Sequence, residues 1–298
     1  MRRIGAIFTP SFPPEQLRPA ALAAEAAGVP ELWLWEDCFR ESAFAAASAV
    51  LAWTERLRVG IGVAPMPLRN VALTAMEVAT LERMFPGRVV PGVGHGVLPW
   101  MAQVGARVAS PLTLMREYIP ALRALLAGEE VTTAGRYVAL GHVRLDWPPA
   151  HAPAVVAAGE GPKTLRLTGE VADGTVVPAG WTPRRIREAL PIIQEGRDAA
   201  GRTGEHEMIV FVIAAFGEGA RERAESEVAR WDLAPEPGLA PEPDLALAGT
   251  PEDVARGVER FFDAGATSVI LQPANAEPGL DGFMAGVGEV ARLVEAAG

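Results

Sequence analysis

The chain has 298 residues, 49% of them hydrophobic and 21% charged, with a formal net charge of −10 and one cysteine. That size can bury one large α/β barrel or two smaller domains, while the negative balance excludes a nucleic-acid surface, which needs clustered cations to displace phosphate counterions. A lone Cys38 excludes an internal disulfide framework, and His95, His142, His151 and His206 show no paired metal-ligand spacing, so no metal site is expected.

Taken in chain order, the pattern alternates strand and helix. Arg3–Thr9 reads as a strand, and Pro14 opens a helix that runs to Ala27 and stops at Gly28. Glu31–Glu36, Leu57–Ala64 and Arg88–Gly94 read as further strands, with helices at Ser42–Trp53 and Asn70–Met84. A loop containing Trp100 leads to a helix near Pro111–Ala127, and residues 129–147 read as a β-hairpin excursion around Gly135. Strands are then expected near Ala154–Ala158, Gly174–Pro178, Met208–Ala215 and Ser268–Gln272. Helices follow from Pro162, over Pro183–Ala200, Ala220–Trp231, Pro251–Ala264 and Asp281–Ala296, and residues 232–248 form a proline-rich insertion. Eight strand signals, each followed by a helix, predict a single-domain (β/α)8 TIM barrel with loop insertions over residues 1–298.

Apolar runs such as Glu31–Trp35 and Ser268–Leu271 fall far short of the roughly 20 residues of a membrane span. Arg2 and Arg3 lead straight into a strand-like segment with no export signal, so the expected location is cytoplasmic and no membrane partner is expected.

In parallel α/β proteins ligands collect at the carboxyl ends of the strands. Two such ends, Gly60–Ala64 and Gly92–Gly96, are glycine-rich. A third, Ala157-Ala158-Gly159-Glu160-Gly161-Pro162, brings free backbone N–H groups, small side chains and a helix amino terminus together where a phosphate could lie. Lys163, the one lysine among 27 basic residues, and Thr164 could add side-chain contacts. The alternative is that Gly159 and Gly161 only form a tight βα turn. Neither G-x-G-x-x-G nor a P-loop pattern is complete, which weakens dinucleotide and nucleotide-triphosphate readings, and no matched carboxylate pair points to a hydrolase.

The blocks LWLWEDCF (Leu32–Phe39), GIGVAP (Gly60–Pro65), ATLERMFPGRVVPGVGHG (Ala79–Gly96), AAGEGPKTLRLTGEVADG (Ala157–Gly174) and GTPEDVARGVERFFDAGATSVILQP (Gly249–Pro273) occur in order along nearly the whole chain. Together they resemble the bacterial luciferase-like family of flavin- and deazaflavin-dependent oxidoreductases. The resemblance implies a (β/α)8 barrel that binds the deazaflavin coenzyme F420, or alternatively FMN, at the strand carboxyl ends. It implies hydride transfer to or from a small organic substrate, with protein groups orienting the ring. The alternatives are an FMN-dependent monooxygenase fed by a separate flavin reductase, and a flavin-binding protein without turnover. A homodimer is compatible with the resemblance.

The same resemblance implies a non-proline cis peptide at Gly62–Val63, where Val63 and Ala64 back one face of the ring, with Gly94 on the neighbouring strand. An ordinary trans strand end before Pro65 is the alternative. Asp37 would lie near the ring, while Cys38 stands where many deazaflavin-dependent relatives have a histidine. His95 could supply the missing acid–base group, or be a loop residue whose imidazole bonds a carbonyl. With no cationic neighbour in sequence, Cys38 is expected to pack as a small apolar residue. Phe8, Trp35, Trp100, Met101 and Trp181 are candidates for an apolar substrate pocket around Cys38, or for core packing. Arg69, Arg136, Arg144 and Arg166 could meet an anionic cofactor tail or lie solvated on the surface.

Overall fold

The computed structural model describes residues 2–233 and 244–297. Short segments of β-branched and small apolar residues form eight parallel strands. These are β1 (Arg3–Phe8), β2 (Glu31–Leu34), β3 (Arg58–Ile61, resumed at Ala64–Pro65), β4 (Val89–Val90, resumed at Gly92–Gly94), β5 (Val156–Ala158), β6 (Gly174–Val177), β7 (Glu207–Phe216) and β8 (Ser268–Pro273). Each pairs with the next, and β8 pairs back to β1 with Arg3 opposite Ser268 and Ala6 opposite Leu271. The sheet therefore closes into the expected (β/α)8 barrel.

Among the described residues ten helices surround it: α1 (Leu17–Ala27), α2 (Ala43–Trp53), α3 (Val71–Met84), α4 (Leu98–Gln103), α5 (Pro111–Leu126), α6 (Pro162–Val171), α7 (Pro183–Ala199), α8 (Ala220–Arg230), α9 (Pro251–Asp263) and α10 (Leu280–Ala297). α9 shows why such sequences become helices here. Thr250 and Asp253 form a reciprocal capping box, Pro251 occupies the first turn, and Val254, Val258, Phe261 and Phe262 bury one stripe against the barrel. α1 stops as its sequence predicts, with Gly28 left-handed at φ 77°.

Several elements differ from expectation. The third and fourth strands are each interrupted, after Ile61 and after Val90. The segment around Trp100 is the helix α4 rather than a loop. An additional strand, Ala246–Gly249, pairs with the second half of β7. Its Ala- and Gly-rich sequence has no period-2 alternation to betray it. Of the proline-rich insertion, residues 234–243 lie outside the described residues. Val131–Ala134 and Ala139–Val143 pair antiparallel, and the Glu117 carboxylate of α5 straps their turn by accepting from the backbone N–H groups of Arg136, Tyr137 and Val138 at 2.9, 2.7 and 3.0 Å.

Ile7, Trp33, Val90, Val156, Val176, Ile209, Phe211 and Ile270 fill the barrel interior. The alternate residues of the same strands, among them Phe8, Leu32, Leu34, Val59, Ile61 and Leu271, pack outward against the helices. The amino-terminal end of the barrel is plugged by ions. Buried Glu31 meets Arg3 at 3.0 Å and Arg58 at 2.5 Å and accepts from Trp33 Nε1 at 3.1 Å, while Arg3 also reaches Glu207 at 2.6 Å. The Glu31 cluster thus seals this end, and the carboxyl ends of the strands form the opposite, open face. Among the described residues, no helix is long and apolar enough to cross a membrane.

Candidate active site

At the carboxyl end of β2 the chain runs on through Trp35, Glu36 and Asp37, which alternate in direction. Trp35 packs on the interior cluster, its ring stacked on Phe211 at 6.2 Å and 20°. Glu36 turns the other way. It meets Arg69 at 2.8 Å and accepts from the Ala43 N–H at 3.0 Å, thereby capping α2, whose own Ser42 makes no side-chain cap. Arg69 also binds Glu77 at 2.7 Å and lies 4.6 Å over the Phe44 ring. It therefore serves a structural ion-pair cluster. Arg166 pairs with Glu195 at 3.0 Å on the exposed surface.

Asp37 is half-buried, and burial raises its carboxyl pKa above the ordinary aspartate value, with Arg40 opposing. The neighbouring Cys38 thiol is likewise pushed up by burial and by the charges of Glu36 and Asp37, which keeps it protonated. The Cys38–Phe39 peptide bond is cis, a feature that nothing in the sequence signalled.

The Gly62–Val63 peptide bond is also cis, as the resemblance implies. Val63 packs against the interior cluster and reaches across β4: a Cβ on Gly94 would stand 2.7 Å from Val63 Cγ2, whereas one on Gly92 would stand 2.1 Å from the Ile61 carbonyl oxygen. Gly94 is thus needed so that Val63 can present its side chain at the mouth, and Gly92 for the close approach of β3. Beyond them, half-buried His95 donates from Nδ1 to the Gly96 carbonyl at 3.0 Å. A carbonyl can only accept, so in the neutral ring Nε2 keeps its lone pair. Both sequence readings of His95 are therefore compatible, since the carbonyl contact uses one nitrogen and leaves the other.

On β5, Val156 belongs to the interior cluster and Ala158, two residues on, faces Gly94, where a Cβ would stand 3.3 Å from its own, while Ala157 is buried in the outer layer. The Gly159 N–H is used up by the Val176 carbonyl at 3.2 Å. A Cβ on Gly159 would meet Thr168 Cγ2 at 3.1 Å, so the turn is tight. Glu160, Gly161, Pro162 and Lys163 are exposed, and the N-cap of α6 is Gly161, which supplies no side-chain cap. The first-turn amides of α6 are thus left for an external acceptor.

The aromatic candidates divide. Trp35 is at the mouth. Phe8 is 1% and Trp181 3% exposed and both pack in the outer core: Phe8 alternates with interior Ile7, while Trp181 carries Arg185 over its ring at 4.5 Å and its buried Nε1 has no partner among the described residues. Met101 is fully buried beneath Gly96, and Trp100 is half-buried on α4. Two indentations flank Leu68–Arg69. One of about 290 Å³ lies between Met66–Val71 and Tyr137–Ala139, and the other, of about 370 Å³, runs along Glu36–Ser42. Both touch the rim loops, whereas Trp35, Val63, Gly94 and Ala158 belong to the strand ends themselves.

Two residues at this end were not singled out from the sequence. Trp231, at the end of α8, stands edge-on to Trp35 at 6.2 Å and 76°. Gln272 on β8 is 1% exposed, and neither its amide oxygen nor its nitrogen has a partner among the described residues. A lone glutamine in the otherwise apolar strand SVILQP was the available signal.

A model of the luciferase-like monooxygenase family matches residues 3–235. The 5,10-methylenetetrahydromethanopterin reductase of Methanolobus tindarius is 31% identical over 212 residues, which cover 71% of this chain and 64% of that protein. The F420-dependent glucose-6-phosphate dehydrogenase of Kineococcus radiotolerans is 28% identical, covering 87% of both chains. In fold, the chain resembles an F420-dependent secondary alcohol dehydrogenase in complex with an F420–acetone adduct, with a TM-score of 0.86, 22% identity and 99% coverage of each chain.

Proposed function

We propose that this chain, which belongs to the luciferase-like monooxygenase family, is an F420-dependent oxidoreductase working as a single barrel domain in the cytoplasm. The observation that carries the reading is the mouth itself: an uncapped α6 amino terminus with the lone lysine beside it, on the same face as Val63, Gly94 and half-buried Asp37. Relatives described as F420-dependent support F420 over FMN.

The residues present fit such a group. The α6 amides and Lys163 would hold a phosphate, with Ala158, Gly159, Glu160, Gly161 and Pro162 shaping the turn. Val63, with Gly62 and Ala64, would support one face of the ring, and Gly94 would let it approach the β4 backbone. F420 held there would supply hydride chemistry, taking up a hydride when oxidised and giving one when reduced. Oxidation of an alcohol to a carbonyl would also release the hydroxyl proton, which a protein base would have to take. His95 Nε2, left uncommitted by the Gly96 contact, would take that proton, and Asp37 would lie near the ring. Cys38 contributes no ionised thiol. Trp35, stacked on Phe211, would keep water from the reacting atoms.

A homodimer is part of this reading. It is supported by an apolar stripe on α3, where Leu73, Met76 and Met84 are 45%, 56% and 61% exposed.

Titration of the purified protein with F420 and with FMN, followed by cofactor fluorescence, tests the assignment. Tight F420 binding with weak FMN binding is expected. FMN binding alone would favour a monooxygenase with a separate reductase. F420 binding without turnover on any alcohol or ketone would favour a non-catalytic binder, and binding of neither would remove the reading.

A further inference from the structure

We propose that Gln272 is a substrate-orienting residue whose carboxamide, together with the Trp35 indole N–H, recognises an uncharged hydroxyl or carbonyl oxygen rather than a carboxylate or phosphate. The assignment rests on the redox reading of the mouth given above.

Ser268, Ile270 and Gln272 are alternate residues of β8 and so face the same side. Ser268 Oγ accepts from Arg3 at the sealed end and Ile270 belongs to the interior cluster, so Gln272 continues that face to the carboxyl end. Buried amides are nearly always hydrogen-bonded at both ends, yet among the described residues this one is paired at neither, and the Trp35 Nε1–H is likewise buried without an acceptor among them. The mouth therefore holds two kinds of unused donor and one unused acceptor. A hydroxyl that donates to Gln272 Oε1 and accepts from Nε2 or the indole satisfies them, and a carbonyl satisfies the donors.

An anion would not suit this wall. The side chains that line the interior here are apolar or aromatic, Arg3 and Arg58 are committed to Glu31 at the opposite end, and the two α8 arginines nearest this end, Arg223 and Arg230, are paired with Glu277 and Glu227. A carboxylate beside Gln272 would be desolvated without a free counter-charge. The position is also right for substrate rather than cofactor. Val63 and the α6 turn lie on β3 and β5, whereas Gln272 lies on β8, on the other side of the ring of strands.

The test uses the full chain loaded with F420. Isopropanol and cyclohexanol serve as uncharged probes, lactate and glucose 6-phosphate as anionic ones, and loss of the oxidised cofactor's visible absorbance is followed. Wild-type protein is expected to prefer an uncharged probe. Gln272→Leu should lower kcat/KM by about tenfold or more, leave F420 affinity unchanged and unfold at the same or a higher temperature, because an unpaired buried amide has been removed. Gln272→Asn should retain part of the activity. Preference for the anions, no response to the uncharged probes, or an unimpaired Gln272→Leu enzyme overturns the proposal, the last by showing that the amide is satisfied by buried water. If neither F420 nor FMN binds, the redox reading fails instead. Gln272 is then judged by cyclohexanol-dependent quenching of tryptophan fluorescence, which should be present in wild type and lost in Gln272→Leu.

Discussion

The Trp33 indole occupies the space that any side chain at position 60 would need: a Cβ on Gly60 would stand 2.2 Å from Trp33 Cδ2. Trp33 is fully buried and forms the floor under the mouth, in edge contact with Phe211 at 5.6 Å, and Phe211 in turn carries Trp35. Gly60→Ala should therefore destabilise the barrel by about 1–3 kcal/mol or more through overpacking. Gly141→Ala, at a position with nothing within 4 Å of the new Cβ, should be close to neutral. Denaturant melts of the two variants provide the comparison, and equal midpoints would show that Trp33 can move aside.

Asp37 should cost stability when ionised. Its folded pKa is raised by burial, so the folded state holds the proton more tightly than the unfolded chain. The penalty is complete above the folded pKa and vanishes below the ordinary value of about 3.9. Asp37→Asn is expected to unfold at the same or a higher temperature than wild type at pH 7, with the gain shrinking as pH falls through that window, while F420 affinity or turnover drops. A variant that is less stable at every pH would mean that the carboxylate makes a contact the amide cannot replace.

At the α6 turn, Lys163→Glu reverses the one lysine charge without touching the core, since the residue is exposed. F420 affinity should fall by about tenfold at low ionic strength and by less at high salt, because an exposed charge is screened over about 10 Å at 0.1 M. Salt-independent affinity would move the phosphate away from this turn.

Much of this arrangement was legible before the fold was known. The barrel could be read because short apolar strands alternate with helices whose ends are marked, as by Thr250-Pro251 before α9 and Gly28 after α1. The glycine turn after β5 was legible from local chemistry, and the Gly62–Val63 bond only through family resemblance. What escaped depends on facing. Phe8 and Ile7 are equally apolar, and only the closed barrel decides that Ile7 points in and Phe8 out. Arg69 and Glu36 lie 33 positions apart, so their pairing could not be seen in a linear pattern. Gln272 looked like an ordinary strand-end residue until its burial and lack of partners were known.

His95 and Cys38 should separate cleanly in kinetics. His95→Gln removes the lone pair at Nε2 and should lower turnover by about two to four orders of magnitude with little change in F420 affinity. Cys38→Ala should be mild, because burial and the neighbouring carboxylates hold the thiol protonated. The assay is single-turnover reduction of bound cofactor. A fast His95→Gln enzyme, or a well-folded but inactive Cys38→Ala enzyme, would reverse the two roles.

The α3 stripe offers the most direct check on assembly. Leu73, Met76 and Met84 are 45%, 56% and 61% exposed on one helix, and Phe39, 64% exposed, lines the same indentation as Leu73. Apolar side chains gathered in this way are poorly solvated unless a partner covers them, and a second copy would bury both stripes at once. Sedimentation should find a wild-type dimer at micromolar concentration. Met76→Glu should shift it to monomer with an unchanged circular dichroism spectrum, because the side chain is exposed and a charge there costs nothing until the partner docks. The cavity-lining loop from Glu36 to Ser42 adjoins this face, so the monomer should also hold F420 less tightly. A monomeric wild type, or a Met76→Glu dimer, would locate the interface elsewhere.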